Sequence, residues 1–113
     1  AGERLRPDHR YVLEIQRVLA RVHLGQGRPR DAEAVLQDVL EHERRVRPQP
    51  HPRIGITLLD LGDAKMALGD AVAAGAAYRE ARAEFSELPG SHPLVVRARD
   101  GAADADARSR PPS

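Results

Sequence analysis

The stretch from Thr57 to Ala81 constrains the fold of this chain more than any other, because it predicts two helices folded back on each other. Leucines recur at helical spacing in its first half, beside a glycine, Gly62, that is small enough for a second helix to lie close. Gly69 suits the left-handed conformation that ends a helix, and Asp70 suits the cap of the next one. The second helix carries Ala74 and Tyr78 one turn apart, and with Ala81 they form a small–large–small stripe that we expect to face the first helix.

The same helical spacing extends over the rest of the chain, and no strand pattern is present. Breaks rich in proline and glycine separate five predicted helices, which span residues 8–24, 29–46, 52–68, 71–87 and 92–108. Proline near the start of the second, third and fifth helices suits a first turn, where its missing N–H is not needed. The first helix bears an apolar stripe made of Tyr11, Val12, Ile15, Val18, Leu19 and Val22.

An internal repeat connects these helices. The connector histidines His9, His51 and His92 lie 42 and 41 residues apart, and the turn glycines Gly27 and Gly69 lie 42 apart. On that offset the pairs of matching residues are Leu19 with Leu61, Ala20 with Gly62, Ala32 with Ala74, Leu36 with Tyr78, and Val39 with Ala81. The chain therefore holds two copies of one helix pair and half of a third.

The Leu-Gly step, the turn glycine and the Ala-Tyr-Ala stripe resemble the tetratricopeptide repeat (TPR). The 42-residue period exceeds the usual ~34 residues and is similar to that of the repeats in kinesin light chains and many bacterial proteins. The resemblance implies an all-α, right-handed α-solenoid of antiparallel helix pairs with about five helices. We expect a flexible lead at 1–7, a TPR-like domain at 8–108 and a disordered tail at 109–113. The domain would comprise repeats at 8–50 and 51–91 and a capping helix at 92–108.

Composition narrows the function classes. The 18 basic and 17 acidic residues give a net charge of +1, so no global field favours nucleic acid or a membrane surface. No cysteine is present, and no apolar run is long enough to span a membrane. Lys65 is the only lysine, which with abundant alanine is typical of a GC-rich, bacterial coding sequence. Because the first residue is not Met, we expect the chain to be a piece of a longer protein. We expect that protein to be cytoplasmic.

The resemblance implies that a partner protein binds in the concave groove formed by the first helix of each repeat. The groove positions it implies are Arg17, Arg21, Leu24, Ile56, Leu59, Asp63 and Met66. Arg17 and Arg21 lie one turn apart, so that two guanidiniums could hold an acidic peptide. The alternative is that Arg21 pairs with Asp63, and Arg17 with Glu14 or solvent. Asparagine, frequent before the Leu-Ala/Gly step of such repeats, is replaced here by Val18 and Asp60.

Other candidate sites have simpler explanations. The three connector histidines recur too far apart to share a zinc ion. The carboxylate pairs Asp60/Asp63 and Glu80/Glu84 lack a nearby nucleophile and suit a solvated face. Arg44, Arg45 and Arg47 could contact phosphates, but they also suit the end of a helix, where positive charge is favourable. The sequence thus predicts no enzyme and no cofactor.

The prediction that follows is a protein- or peptide-binding scaffold of modest, roughly micromolar affinity. Self-association, with the bare face of the first or last repeat buried in a second copy, is the alternative. Contact with nucleic acid through the three arginines is a weaker third option.

Overall fold

The computed structural model describes residues 9–110, with side chains from residue 12 onward. Its helices are α1 (His9–Gly25), α2 (Pro29–Val46), α3 (Pro52–Ala67), α4 (Ala71–Glu84) and α5 (Pro93–Ser109). This range contains five helices and no strand, which confirms the all-α prediction. The predicted lead, the first residue of the first predicted helix (Asp8), the side chain of Tyr11 and residues 111–113 of the predicted tail lie outside the described part of the chain.

The helix starts follow from the connectors. Proline occupies the first turn of α2, α3 and α5, where no intrahelical N–H bond is lost. Two of the recurring histidines also cap these helices. The Nδ1 atom of His51 accepts a hydrogen bond from the backbone N–H of Arg53, and that of His92 accepts one from Leu94, each at 3.1 Å. The repeated histidine thus supplies an acceptor to an otherwise unpaired N–H at a helix start.

The turn between α3 and α4 forms as predicted. Gly69 has a φ of +82° and its repeat equivalent Gly27 a φ of +74°, a region that favours glycine. The Oδ1 atom of Asp70 accepts a hydrogen bond from the N–H of Ala73 at 3.1 Å and caps α4. At its other end α4 stops at Glu84, three residues before the predicted end. There the chain turns Phe85 into the core against Gly55.

The helices form two layers. Each helix packs on the next along the chain, and in addition α1 contacts α3 and α3 contacts α5. The first helices of the repeats, α1, α3 and α5, therefore lie side by side, while α2 and α4 form the opposite layer. The core between the layers consists of Ala20, Ala32, Leu36, Leu40, Ile54, Leu58, Leu59, Leu61, Ala64, Ala74, Tyr78, Ala81, Phe85, Val95, Ala98 and Ala105.

The predicted stripe of α4 is buried, and Tyr78 lies against Gly62 of α3. In the first repeat the equivalent residues, Leu36 and Ala20, are also fully buried. Compared with the second repeat, the first has the smaller Leu36 in place of Tyr78 and the larger Ala20 in place of Gly62. The space between the layers is therefore filled in both repeats.

The apolar stripe of α1 lies on the solvent side of the helix. Leu13 and Ala20 are buried, whereas Ile15, Val18, Leu19 and Val22 are 44% to 65% exposed. Helix α1 has α2 and α3 on its buried side, and no other described helix contacts it. Among residues 9–110, therefore, nothing covers one apolar face of the first repeat.

Candidate functional site

A cleft of about 390 Å³ lies between α1 and α3 on the layer of first helices. Three of the predicted groove residues, Arg17, Arg21 and Ile56, line it. The other lining residues are Glu14, Val18, Arg53 and Asp60. The structure thus gathers three arginines and two carboxylates around one concave surface.

Arg17 is the buried member of this group. Its side chain is only 9% exposed, and its guanidinium donates a hydrogen bond to Glu14 on the same helix. Its Nε atom is buried without a hydrogen-bond partner. A guanidinium N–H that has left water without gaining an acceptor is costly, so a ligand oxygen reaching it would be stabilised.

Arg21 and Arg53 occupy the two sides of the cleft. The Arg21 side chain is 61% exposed, and its Nη1 lies 3.4 Å from Oδ1 of Asp60. The Arg53 Nη1 donates to Oε2 of Glu14 at 2.9 Å and joins α3 to α1. The hydrogen bond from Arg53, with the positive charge of Arg17, lowers the pKa of the Glu14 carboxyl. Glu14 is therefore held ionised between two arginines.

Asp60 is nearly inaccessible, so the prediction that it belongs to a solvated face is wrong. Burial raises the pKa of its carboxyl, although Arg21 and Arg97 act in the opposite direction. Both arginines lie at the edge of ion-pair distance, 3.4 and 3.7 Å from Oδ1. Since these contacts are long, they offset only part of the cost of removing the carboxylate from water.

The predicted pair between Arg21 and Asp63 does not form, because Asp63 faces the next repeat. It accepts hydrogen bonds from the hydroxyl of Tyr78 on α4 and from the guanidinium of Arg97 on α5. Residues three positions apart on an α-helix point in directions about 60° apart around its axis. Asp60 therefore points toward α1 and Asp63 toward α5. The alternative partner predicted for Arg17, Glu14, is the one observed.

The remaining predicted groove residues lie deeper than expected. Leu59 is fully buried, so its prediction as a groove contact is wrong. Helix α3 has neighbours on both sides, and Leu59 is enclosed between them. Leu24 and Met66 are partly buried, pack against the core and do not line the cleft.

Two arginines of this surface were missed from the sequence. Arg53 precedes the predicted groove residue Ile56 by three positions, so helical spacing could have placed it on the same face. Arg97 follows Ile56 by 41 residues, which is the offset between His51 and His92. Extending the repeat into its third, partial copy would have identified Arg97.

The arginine cluster at the end of α2 is engaged with carboxylates. Arg44 lies 3.2 Å from Glu80 of α4, and Arg45 and Arg47 each lie 3.6 Å from a glutamate one turn earlier on α2. These pairs favour a role at the helix end over phosphate binding. Within residues 9–110 no group of three potential ligands is placed to hold a metal ion, and no helix is long and apolar enough to cross a membrane.

Comparison with known proteins identifies the fold. No family model matches the chain, and no curated protein matches it either. One similar solved structure is that of a Podosopora anserina protein with nearly identical TPR-like repeats, described as a kinesin light chain. The TM-score is 0.78 at 23% identity, and the match covers 90% of this chain and 49% of that one. The chain therefore has a TPR-like α-solenoid fold and spans about half the length of this structural neighbour.

Proposed function

We propose that this chain is a non-catalytic binding module that holds an acidic protein segment in the cleft between α1 and α3. TPR-like folds generally act as scaffolds for protein partners, which supports the class of function. The composition favours a bacterial source, and we propose a cytoplasmic role within a larger protein.

The observation that carries this proposal is the unpaired Nε of Arg17. The Arg17 side chain lines the cleft together with those of Arg21 and Arg53. Each of these two already contacts one carboxylate, but a guanidinium carries five N–H donors, so both retain donors for a ligand. A peptide carboxylate is planar and has two acceptor oxygens, which match the fork of donors on an arginine.

The charge balance of the cleft favours an acidic ligand over a basic one. Its three arginines exceed its two carboxylates, and Asp60 is buried. A second ligand carboxylate could therefore approach Arg21 from solvent without direct contact with Asp60. Ile56 adds apolar surface on α3, so we expect acidic residues interspersed with aliphatic ones.

A fluorescein-labelled peptide of about eight alternating Glu and Leu residues is the probe for this cleft. We expect it to bind about 1 μM protein, as measured by fluorescence anisotropy, with an affinity on the order of micromolar that falls as salt is added. A peptide with Lys in place of Glu should bind far more weakly. Equal binding of the two peptides would overturn the proposal.

The matched variants remove two charges each. Arg21→Gln with Arg53→Gln should weaken binding about tenfold or more, because each removes a charge-assisted hydrogen bond. Arg30→Gln with Arg82→Gln makes the same change on exposed positions of α2 and α4 and should leave binding unchanged. Equal losses in both double variants would indicate general electrostatic attraction in place of a cleft.

Self-association is the second candidate function. The observation that favours it is the uncovered apolar face of α1, which adjoins the cleft at Val18 but is aliphatic where the cleft is charged.

A further inference from the structure

The exposed face of α1 is a continuous aliphatic patch. Ile15, Val18, Leu19 and Val22 follow at i, i+3, i+4 and i+7, so they form one ridge along the helix. The other large hydrophobic side chains that the described residues expose, Val46 and Val72, lie singly on α2 and α4. Scattered residues need no explanation, whereas a contiguous patch marks an interaction surface.

The repeat shows how the fold treats this face elsewhere. On α3 the equivalent positions are Thr57, Asp60, Leu61 and Ala64, and all four are buried. The hydroxyl of Thr57 donates to Oε1 of the buried Glu43 on α2 at 2.6 Å. The corresponding face of α3 is therefore an internal helix–helix interface that includes paired polar groups.

On α1 those polar groups are absent, because Ile15 and Val18 replace Thr57 and Asp60. A helix like α2, with a buried glutamate, would find no hydroxyl on α1. Its carboxylate would lose the hydrogen bond that Thr57 donates to Glu43 and keep only a 3.6 Å contact like that with Arg47. The face instead suits a wholly aliphatic surface, and α1 itself presents one.

We propose that this face docks on the same face of a second copy of the chain, with the two α1 helices antiparallel. The two-fold axis passes between Val18 and Leu19, so that Ile15 of one copy lies opposite Val22 of the other. Contacts of this kind are self-complementary, as two-fold symmetry requires. The proposal identifies the surface behind the second candidate function. It shares Val18, Glu14 and Arg21 with the cleft, whereas Ile15, Leu19 and Val22 lie outside the cleft.

Flanking charges favour the antiparallel orientation. Glu14 and Arg21 lie seven residues, or two turns, apart along the same side of the aliphatic ridge. In the antiparallel arrangement this side of one helix meets the same side of the other, so Glu14 of one copy lies close to Arg21 of the other. A parallel two-fold arrangement would bring Glu14 beside the opposite side of the partner helix, away from Arg21. The contact involves one helix per copy and is smaller than a standard interface, so we expect a dissociation constant on the order of 10 μM.

Sedimentation equilibrium of the full chain from about 1 to 200 μM tests the association. The average mass should rise from that of the monomer toward twice that value. Val22→Asp should remain monomeric over this range, because a carboxylate would be buried against Ile15. Val72→Asp makes the same change at a valine on α4 that is 70% exposed, and it should associate like the wild type.

A monomer at 200 μM would overturn the proposal, as would association unaffected by Val22→Asp. Circular dichroism of both variants checks that their helices are intact. Val22 does not line the cleft, so peptide binding at about 1 μM should be the same for Val22→Asp and the wild type. Failure of dimerisation and failure of cleft binding are thus separate results.

Cysteine cross-linking tests the orientation, since the chain has no cysteine of its own. Val18→Cys lies beside the proposed axis and should form a disulfide-linked dimer on mild oxidation. Two copies of Val22→Cys would lie about 10 Å apart along the helix axis, beyond disulfide reach. They should stay unlinked, whereas Ile15→Cys mixed with Val22→Cys should give the heterodimer. Efficient self-linking at residue 22 would overturn the antiparallel arrangement.

Discussion

The ring of Tyr78 on α4 lies against the bare Cα of Gly62 on α3, so that a β-carbon at residue 62 would lie 2.7 Å from its Cε1 atom. Gly101 of α5 faces the same ring, and a β-carbon there would lie 2.8 Å from the same atom. One aromatic side chain is thus enclosed by two helices that approach it through glycines. The stacking of the second repeat on α5 depends on this arrangement.

Gly62→Ala should destabilise the protein by about 1–3 kcal/mol, because the added methyl group displaces a ring enclosed in the core. The Tyr78 ring has Gly101 on another side and little room to shift. Chemical denaturation measures the change in the free energy of unfolding. Gly25→Ala, where an added β-carbon meets no atom within 4 Å, is the control and should change it by less than about 1 kcal/mol. Equal stability of Gly62→Ala and the wild type would contradict this packing.

The hydrogen bond between Thr57 and Glu43 gives a second prediction. Both side chains are fully buried, and the threonine hydroxyl lies 2.6 Å from the carboxylate. Thr57→Val keeps the shape but removes the donor, so the free energy of unfolding should fall by about 1–3 kcal/mol.

Thr57→Ser is the matched control for this bond, because it keeps the hydroxyl and loses only a methyl group. It should be more stable than Thr57→Val in the same denaturation experiment. The opposite order would mean that the methyl group, and not the hydrogen bond, stabilises the contact between α2 and α3.

The cap of α4 gives a third prediction. Asp70→Ala removes the acceptor for the N–H of Ala73, and the free energy of unfolding should fall by about 1 kcal/mol. Asp70→Asn keeps an acceptor at the same position and should retain most of the stability. A similar loss in both variants would show that the negative charge near the helix start, and not the hydrogen bond, stabilises α4.

Helical periodicity and turn chemistry were sufficient to predict the five helices and the packing of the Tyr78 stripe of α4 against α3. These depend on local rules, namely the spacing of apolar residues, proline in first turns and glycine after helices. The early end of α4 was not predictable in this way, because it depends on the burial of Phe85 against Gly55 of another helix.

The candidate site was predicted only in part. Periodicity assigns a residue to a face of its helix but does not tell how deeply that face is buried. Asp60 was therefore placed in solvent and Leu59 in the groove, although neighbouring helices enclose both. The pairing of Arg21 with Asp60 in place of Asp63 depends on helix rotation, which the repeat offset alone does not determine.

The buried carboxylate of Asp60 gives the last prediction, a dependence of stability on pH. Burial raises the pKa of Asp60 in the folded protein above the value of about 3.9 in the unfolded chain. Between the unfolded and the folded pKa, Asp60 is protonated more often in the folded protein than in the unfolded chain. Its contribution to the free energy of unfolding therefore falls as pH rises. Asp60→Asn should therefore gain stability relative to the wild type when urea denaturation is compared from pH 4 to pH 7. Glu14→Gln is the control of opposite sign in a series extended below pH 4, because the lowered pKa of Glu14 contributes stability that is lost only as pH falls below the unfolded value of about 4.3. A difference in the free energy of unfolding between Asp60→Asn and the wild type that stays constant from pH 4 to pH 7 would show that burial does not control the titration of Asp60.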